Sequence, residues 1–421
     1  MLSSVGRAFG LHPNGRGFEP LSIHHLTNAI NYGIYIIDII MKKKIFLQNT
    51  AMPVGGVEIS LINFVKHMKD ACDIDVHLFD VGGPLQGRLE ETGIRILSSN
   101  GCLENVRNRV QNVDKEIAYV DDVISKAPML PGEYDAAFSF KNTYEDNELV
   151  LRRVNAKRKF CISHGDPDFG TPLTSPRKKS MPEFDKVFFV SRALRDKAQL
   201  VLPNLENLDV LWNFQDSQGI IDKSNQETIS YEQGRVNFVS PIRLDPVSKA
   251  PLRTAEVIKQ LVQSGTADNF TWTILGDGPD REKLEQFIRE NQLERFIHLE
   301  GEKKNPYPWI KNADFVFLGS IHEAFGMVMA EGSILGVPGV MTQTAGSTEF
   351  GKINGIMVCD NSEQGIYNAL KEVIINRKRL AQMRESLRGY VYPNAEIKQK
   401  VLSSISPEQY HHTSEYGIGQ V

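Results

Sequence analysis

The stretch Phe315-Val-Phe-Leu-Gly319-Ser-Ile-His-Glu323-Ala-Phe-Gly326-Met-Val-Met-Ala-Glu331-Gly-Ser-Ile-Leu-Gly336-Val-Pro338 decides the fold class. Its first four residues are all apolar and bounded by a glycine, the pattern of a short strand buried on both faces. A loop follows, then a helical segment from Met327 to Leu335 that stops at Gly336 and Pro338. The next apolar run, Val340 to Thr342, reads as another strand. Strand, loop, helix, strand is the unit of a parallel sheet covered by helices.

Outward from this unit the pattern repeats. Upstream lie strand patterns at Val236 to Ser240, Phe270 to Leu275 and Phe296 to Leu299, with a helical segment at Arg281 to Asn291. Farther back, Asn213 to Gly234 is rich in Gln, Ser and Asp and reads as a linker. Before it stands a second series. Lys43 to Asn49 is a strand leading through Ala51-Met-Pro-Val-Gly-Gly56 into Val57 to Met68, whose apolar residues at 57, 61, 64, 65 and 68 share one helical face. Apolar runs at Ile74 to Val81, Tyr134 to Phe140, Lys159 to His164, Lys186 to Val190 and Leu208 to Trp212 continue it. The expected architecture is α/β, with two Rossmann-like domains of parallel strands facing a central cleft. The expected limits are 41–213 for the first domain, 214–234 for the linker, 235–400 for the second domain and 401–421 for a polar tail. Ligands of such folds bind beyond the carboxyl ends of the strands.

Composition narrows the function. In 421 residues, 48 Lys and Arg stand against 52 Asp and Glu, a formal charge of -4, so no global positive field would hold nucleic acid. Hydrophobic residues at 41% and charged residues at 24% are ordinary for a globular chain. Cys72, Cys102, Cys161 and Cys359 show no CxxC spacing, so neither a zinc site nor a disulfide framework is expected. His411 and His412 in the tail have no further ligand type beside them in sequence and read as solvated.

The first forty residues read differently from the rest. Through Pro20, Gly, Arg, Ser, Pro and His alternate without apolar period, and Met41-Lys-Lys-Lys-Ile-Phe-Leu-Gln looks like a second start. Ser3-Ser-Val-Gly-Arg-Ala8 is what the D-arm of a transfer-RNA gene would encode, and Gly17-Phe-Glu-Pro20 fits a translated T-arm. The expectation is that residues 1–40 are an upstream extension from a mis-set start. A secretory signal fits less well, because Asn31 and Asp38 interrupt the apolar run. No uncharged apolar run approaches the roughly 18 residues of a membrane span. A cytoplasmic protein is expected, with peripheral contact at the inner face of the membrane compatible with the sequence.

The chemistry sits at strand ends. Glu323 follows a strand and precedes a helix, and Glu331 lies about two helical turns further on. The N–H groups of Ala324, Phe325 and Gly326 would offer a phosphate site, with Gly326 allowing close backbone approach. Glu331 suits a ribose diol and Glu323 the hydroxyls of a sugar, since carboxylates accept paired hydroxyls. In Ser240-Pro-Ile-Arg243-Leu-Asp-Pro-Val-Ser-Lys249-Ala-Pro, Arg243 and Lys249 could both reach a diphosphate, or each could be a surface ion pair. Gly55-Gly56-Val57-Glu58 is either a ligand-facing helix start or a simple turn. His164, at a strand end before Gly165, is either a substrate contact or a structural residue.

Together these residues resemble the GT-B glycosyltransferases of the family 4 type, which use nucleotide-activated sugars and retain the anomeric configuration. The matching elements are the Gly-Gly-x-Glu loop, Ile162-Ser-His-Gly-Asp, Phe189-Val-Ser, Arg243-Leu-Asp with Lys249, Leu275-Gly276-Asp-Gly-Pro279, and Glu323 to Glu331 with Gly336-Val-Pro338, spanning roughly Lys43 to Asp360. The resemblance implies that Arg243 and Lys249 neutralise the donor diphosphate, that Glu331 holds the ribose, that Glu323 contacts the transferred sugar, and that His164 lies near its reacting carbon. It places Gly56, Gly276, Phe325 and Gly326 on the donor side. Three positions depart from the pattern: Ala324 and Ala250 stand where glycines are common, and Pro241-Ile242 replaces a glycine before Arg243. Thr344-Ala-Gly-Ser-Thr-Glu349 keeps a Gly and the Glu of the last donor loop.

The implied partners are a nucleotide-sugar donor and a glycan or lipid-linked acceptor, in cell-surface polysaccharide or glycolipid assembly. No cofactor or metal is expected: Asp73-Ile-Asp75 leads into a strand, Asp166-Pro-Asp168 is a turn, and cations already face the diphosphate. A nucleotide-sugar epimerase of the same fold is the alternative. A dinucleotide-dependent dehydrogenase is disfavoured by Arg281 where its glycine fingerprint needs a small residue.

Overall fold

The structure, a computed structural model, describes residues 42–98, 113–165, 175, 178–265 and 267–406. The first forty residues, Cys102, Asp166, Asp168, His411 and His412 lie outside the described residues. Seven strands form the first sheet: β1 (Lys43–Asn49), β2 (Cys72–Leu78), β3 (Arg95–Ser98), β4 (Glu133–Ser139), β5 (Asn155–Ser163), β6 (Lys186–Phe189) and β7 (Leu208–Val210). Their order is β3-β2-β1-β4-β5-β6-β7. Six more form the second: β8 (Val236–Pro241), β9 (Phe270–Leu275), β10 (Ile297–Gly301), β11 (Phe315–Leu318), β12 (Gly339–Thr342) and β13 (Ile356–Cys359), ordered β10-β9-β8-β11-β12-β13. Pairings such as β1 with β4 and β8 with β11 are parallel. The edge strands β3 and β13 have no counterpart among the strands read from the sequence, being only four residues long and half-exposed along most of their length.

Each sheet reverses direction once, between β1 and β4 in the first and between β8 and β11 in the second. In a parallel α/β sheet the neighbouring loops diverge there, and the crevice they leave is where ligands bind. The central strands owe their place to near-continuous apolar composition: β9 and β11 are fully buried, and β12 likewise. The one polar group buried with Trp272 is answered locally, since its indole N–H donates to Ser240 Oγ at 2.8 Å, and that hydroxyl donates to the Phe317 carbonyl at 2.7 Å.

The expected linker contains a helix, Ser217–Ser224, capped by Asp216. It is short and its only apolar pair is Ile220-Ile221, so sequence polarity hid it. Both domains hold it: Lys66 bonds Asp216, His67 Nε2 meets the Gln215 carbonyl at 2.8 Å, and Asn305 donates to the Lys223 carbonyl at 2.9 Å. The expected tail also needs correcting, because the last helix runs Asn394–Ile405 and buries Ile397, Val401 and Ile405. That four-residue spacing forms one apolar stripe. It packs on helix Gly56–Met68 of the first domain, so the chain ends its described course across the domain boundary. Trp212 joins the same junction, stacking on Phe350 at 6.5 Å and meeting Phe325 at 5.8 Å and Tyr392 at 6.3 Å. No described helix is long and apolar enough to cross a membrane.

Candidate active site

The loop after β8 is shaped by one acidic residue. Asp245 Oδ1 accepts from the Ser248 N–H at 2.7 Å and from the Ser248 hydroxyl at 2.8 Å, while the Ala250 N–H returns to the Asp245 carbonyl at 2.8 Å. This closed turn fixes the direction in which Lys249 leaves the chain. Ala250 pays for the turn in backbone strain, with φ 44° and ψ 59° in the left-handed region. It caps helix Pro251–Gln263, whose Pro251 presets the first helical φ.

Two further loops are stitched to this one. The Ile321 and His322 N–H groups donate to the Ser248 carbonyl at 2.8 and 3.2 Å, and the Gly346 N–H donates to the Glu323 carbonyl at 2.7 Å. Across that seam Lys249 Nζ bonds the Glu323 carboxylate. Arg243 is exposed and pairs with no described acid. Helix Met327–Ile334 begins at Gly326, whose φ of 96° only glycine adopts easily. The N–H groups from Ala324 to Val328 donate to no described residue. A positive helix end and a half-buried ammonium therefore stand at the reversal point of the second sheet, and Arg243 lies in the loop that leaves β8 there.

Glu331 lies inside the same helix, 8% exposed, where burial pushes its carboxyl up to about 7 against the pull of Tyr307 and Arg88. Gly276 and Gly278 act on the Arg243 loop from beneath. A Cβ on Gly276 would meet the Ile242 carbonyl oxygen at 1.8 Å, and one on Gly278 the Leu244 carbonyl at 2.5 Å. The glycines thus let two loops pack back to back, and the face of Gly276 is occupied by chain. Phe325 turns its side chain, 3% exposed, into the Trp212 cluster and leaves its N–H, the group expected to face a phosphate, without a described acceptor. Glu349 is fully buried and holds Arg192, the residue after Phe189-Val-Ser, with Arg192 Nε at 3.0 Å. Those two matching elements tie the domains together.

Across the cleft, the carboxyl ends of β1, β4 and β5 bring a second group. Glu58 is buried at the start of helix Gly56–Met68 and receives Lys141 Nζ at 3.0 Å. Gly56 faces open space, so within the described residues nothing demands a glycine there. His164 hydrogen-bonds the Phe140 carbonyl, and burial pushes its pKa down to about 3, so it is neutral at physiological pH. Its Nε2 is closed to water and has no partner. Behind them Asp146 is fully buried, accepting from Gln48 at 2.9 Å, Thr50 at 2.8 Å and Thr143 at 2.7 Å. Asp75, from the Asp-x-Asp stretch, is consumed by Arg95 Nε and the Tyr134 hydroxyl, each at 2.7 Å.

Sequence reading missed Lys141, Asn142 and Tyr307. A signal existed for the first two, since Lys141-Asn142 directly follows a strand expected to end at Phe140. Tyr307 carries no local signature.

The two parallel sheets have the GT-B fold, and similarity to named glycosyltransferases marks the chain as a transferase. Residues 235–376 match the family model described as Glycosyl transferases group 1. Over 267 residues the chain is 26% identical to the N-acetylgalactosamine-N,N'-diacetylbacillosaminyl-diphospho-undecaprenol 4-alpha-N-acetylgalactosaminyltransferase of Campylobacter jejuni, covering 58% of this chain and 68% of that one. An uncharacterized glycosyltransferase of Methanocaldococcus jannaschii is 26% identical over 46% of this chain and 51% of its own. Among solved structures, the Anabaena HepE protein in complex with UDP and glucose superposes with a TM-score of 0.66 at 19% identity, covering 87% of this chain and 100% of that one.

Proposed function

We propose that the protein moves a glycosyl group from a UDP- or GDP-sugar to an acceptor hydroxyl with retention, as family 4 glycosyltransferases do. One observation supports the donor reading above others. Arg243, Lys249 and the free N–H groups from Ala324 to Val328 converge at the reversal point of the second sheet. That is a cradle for a diphosphate.

In this reading the bond from the anomeric carbon to the diphosphate breaks while the acceptor oxygen bonds to the same face. The hydroxyl proton ends on the leaving phosphate oxygen. Arg243 and Lys249 balance the charge that develops on the diphosphate, which makes a divalent metal unnecessary. Glu323, held by Lys249, accepts the hydroxyls of the transferred sugar, and Glu331 accepts those of the ribose. His164, being neutral, contributes a hydrogen bond at Nε2 rather than a charge. Gly56 leaves room for the sugar, and Gly326 for the diphosphate.

The Campylobacter relative acts on a lipid-linked diphosphate by its name, which supports a glycan or lipid-linked acceptor here. The setting is then cell-surface polysaccharide or glycolipid assembly at the cytoplasmic face of the membrane. Labelled UDP- and GDP-sugars incubated with the protein and a lipid extract, with and without EDTA, test this. Acceptor-dependent release of UDP or GDP that survives EDTA is expected. Release of a free isomerised sugar would point to an epimerase, and full loss in EDTA would remove the metal-free reading.

A further inference from the structure

The crossovers of the first sheet are not alike. β4 and β5 are joined through helix Tyr144–Arg153, and β6 and β7 through helix Arg192–Val201. Between β5 and β6 the described residues form only the 3₁₀ turn Met181–Glu183. Beside this turn lies a cavity of about 450 Å³, within the roughly 300–1,000 Å³ of small-molecule sites. Met181 and Pro182 line it before β6, and Val201-Leu202-Pro203 line it where helix Arg192–Val201 ends. Single apolar side chains at a surface mean little, but these share one concavity. Val201 stands 43% exposed there, so its burial is still to be made.

The rest of the lining is cationic, from Lys178 and Lys179. Lys178 Nζ donates to the carbonyl of Asn142, in the loop that leaves β4, where Lys141 holds Glu58 at 3.0 Å. Lys179 Nζ lies 3.3 Å from Asp121 and 5.0 Å from the centre of the Tyr144 ring. An ammonium carries three N–H donors, so a bond to a carbonyl or a shared carboxylate leaves it able to meet a phosphate as well. The cationic end thus borders the cleft at the carboxyl end of β4. Helix Arg192–Val201 starts beside the carboxyl end of β6 and runs back, which carries the apolar wall toward the far edge of the sheet.

Few molecules suit both ends. A free glycan or nucleotide would set hydroxyls against the apolar wall, and a plain hydrocarbon would ignore the lysines. We propose that the cavity seats the apolar chain of a long-chain phosphate ester, with Lys178 and Lys179 on its phosphate, and that this amphiphile carries the acceptor. The inference rests on the acceptor reading above and narrows it to a phosphorylated lipid held by its chain.

Calorimetric titration of the full chain with dodecyl phosphate, below its micellar concentration, tests it beside butyl phosphate and dodecyl glucoside. Dodecyl phosphate should bind about a hundredfold more tightly than butyl phosphate, because several methylenes are buried. Val201→Asp and Pro203→Asp should each weaken it about tenfold. Lys178→Ala should also weaken it about tenfold, while dodecyl glucoside, whose head is uncharged, stays blind to that change. In the labelled-sugar assay the same variants should raise KM for the lipid acceptor severalfold. Val201 and Pro203 are both exposed, so if melting curves show one variant unfolded the other decides. If dodecyl phosphate binds no better than butyl phosphate, or the Asp variants keep the parental affinity, the inference falls and lipid transfer by the parent still supports the acceptor reading. If the parent transfers only to water-soluble glycans, the lipid half of that reading falls and takes the inference with it. Leu200, 83% exposed, is not part of the lining. Binding to phosphatidylglycerol vesicles that Leu200→Asp abolishes as fully as Val201→Asp, without uptake of monomeric dodecyl phosphate, makes the surface a membrane contact and overturns the site.

Discussion

The two reversal points of this molecule are built from opposite materials. At the end of the second sheet, Lys249 meets Glu323, Arg243 stands exposed, and five backbone N–H groups are left open. At the end of the first, Asp146 is sealed under Gln48, Thr50 and Thr143, and His164 is held neutral. One end keeps charge unspent, and the other has spent it internally. A site that must stabilise a departing anion needs the first arrangement, because fixed charge in a poorly solvated cleft acts without reorganising. A site that only positions a hydroxyl needs rigidity, which a satisfied buried network supplies.

The sharpest way to break this contrast is Lys249→Ala. Turnover is expected to fall about 10²–10³-fold, as loss of a preorganised donor does elsewhere, while thermal stability barely moves because Lys249 is partly exposed. Steady-state release of nucleoside diphosphate together with a melting curve checks both halves. A rate within a few-fold of the parent would take Lys249 out of the chemistry.

Asp146→Ala should do the reverse. It strands three buried donors, so a loss of about 3 kcal/mol is expected, seen as a melting temperature lower by roughly 5–10 °C. Binding of UDP or GDP to the folded fraction should be unchanged. An Asp146→Ala protein as stable as the parent would show that the first reversal point is not the rigid one.

Most of this contrast was hidden from the sequence. The strand pattern gave both sheets and the order of motifs, because buried parallel strands are nearly all apolar and glycines mark the loops after them. It also gave Arg243, Lys249, Glu323, Glu331 and His164 as candidates, each at a strand end or on the helix that follows. It did not give Asp146, because two of its three partners, Gln48 and Thr50, lie at the end of β1, 98 and 96 residues earlier in the chain. Nor did it give Tyr307, whose hydroxyl reaches Glu331 from a separate helix. The linker helix and the last turn of the final helix escaped because their apolar stripes are two or three residues long.

Glu331 offers a test of moderate size. Its folded pKa of about 7 lies above the unfolded value near 4.5, with burial as the main cause. Below pH 4.5 both states hold the proton and the folded state carries no penalty. Between the two values the unfolded chain releases its proton first, so stability is lost as pH rises towards 7, by about 3 kcal/mol in all. In unliganded protein Glu331→Gln should flatten that slope in denaturant titrations from pH 5 to pH 8. An unchanged slope would mean that the carboxylate is better solvated than its burial implies.

The smallest effect separates the two ends most cleanly. Each carries a non-glycine residue in the left-handed region, Ala250 at φ 44° and Asn142 at φ 53°. Alanine gains nothing there and pays about 1–2 kcal/mol, against which glycine's extra unfolded freedom costs about 0.5–1 kcal/mol. Ala250→Gly should therefore stabilise by about 0.5 kcal/mol, or roughly 1–2 °C. Asn142 tolerates the conformation, and its Oδ1 accepts from Asn147 Nδ2 at 3.0 Å inside the buried network. Asn142→Gly should destabilise by about 1 kcal/mol, since it deletes a buried acceptor. The same substitution at the same backbone conformation is thus expected to change sign between the two reversal points. Equal signs in paired melting curves would mean that backbone strain outweighs the network, and that the two ends differ in charge alone.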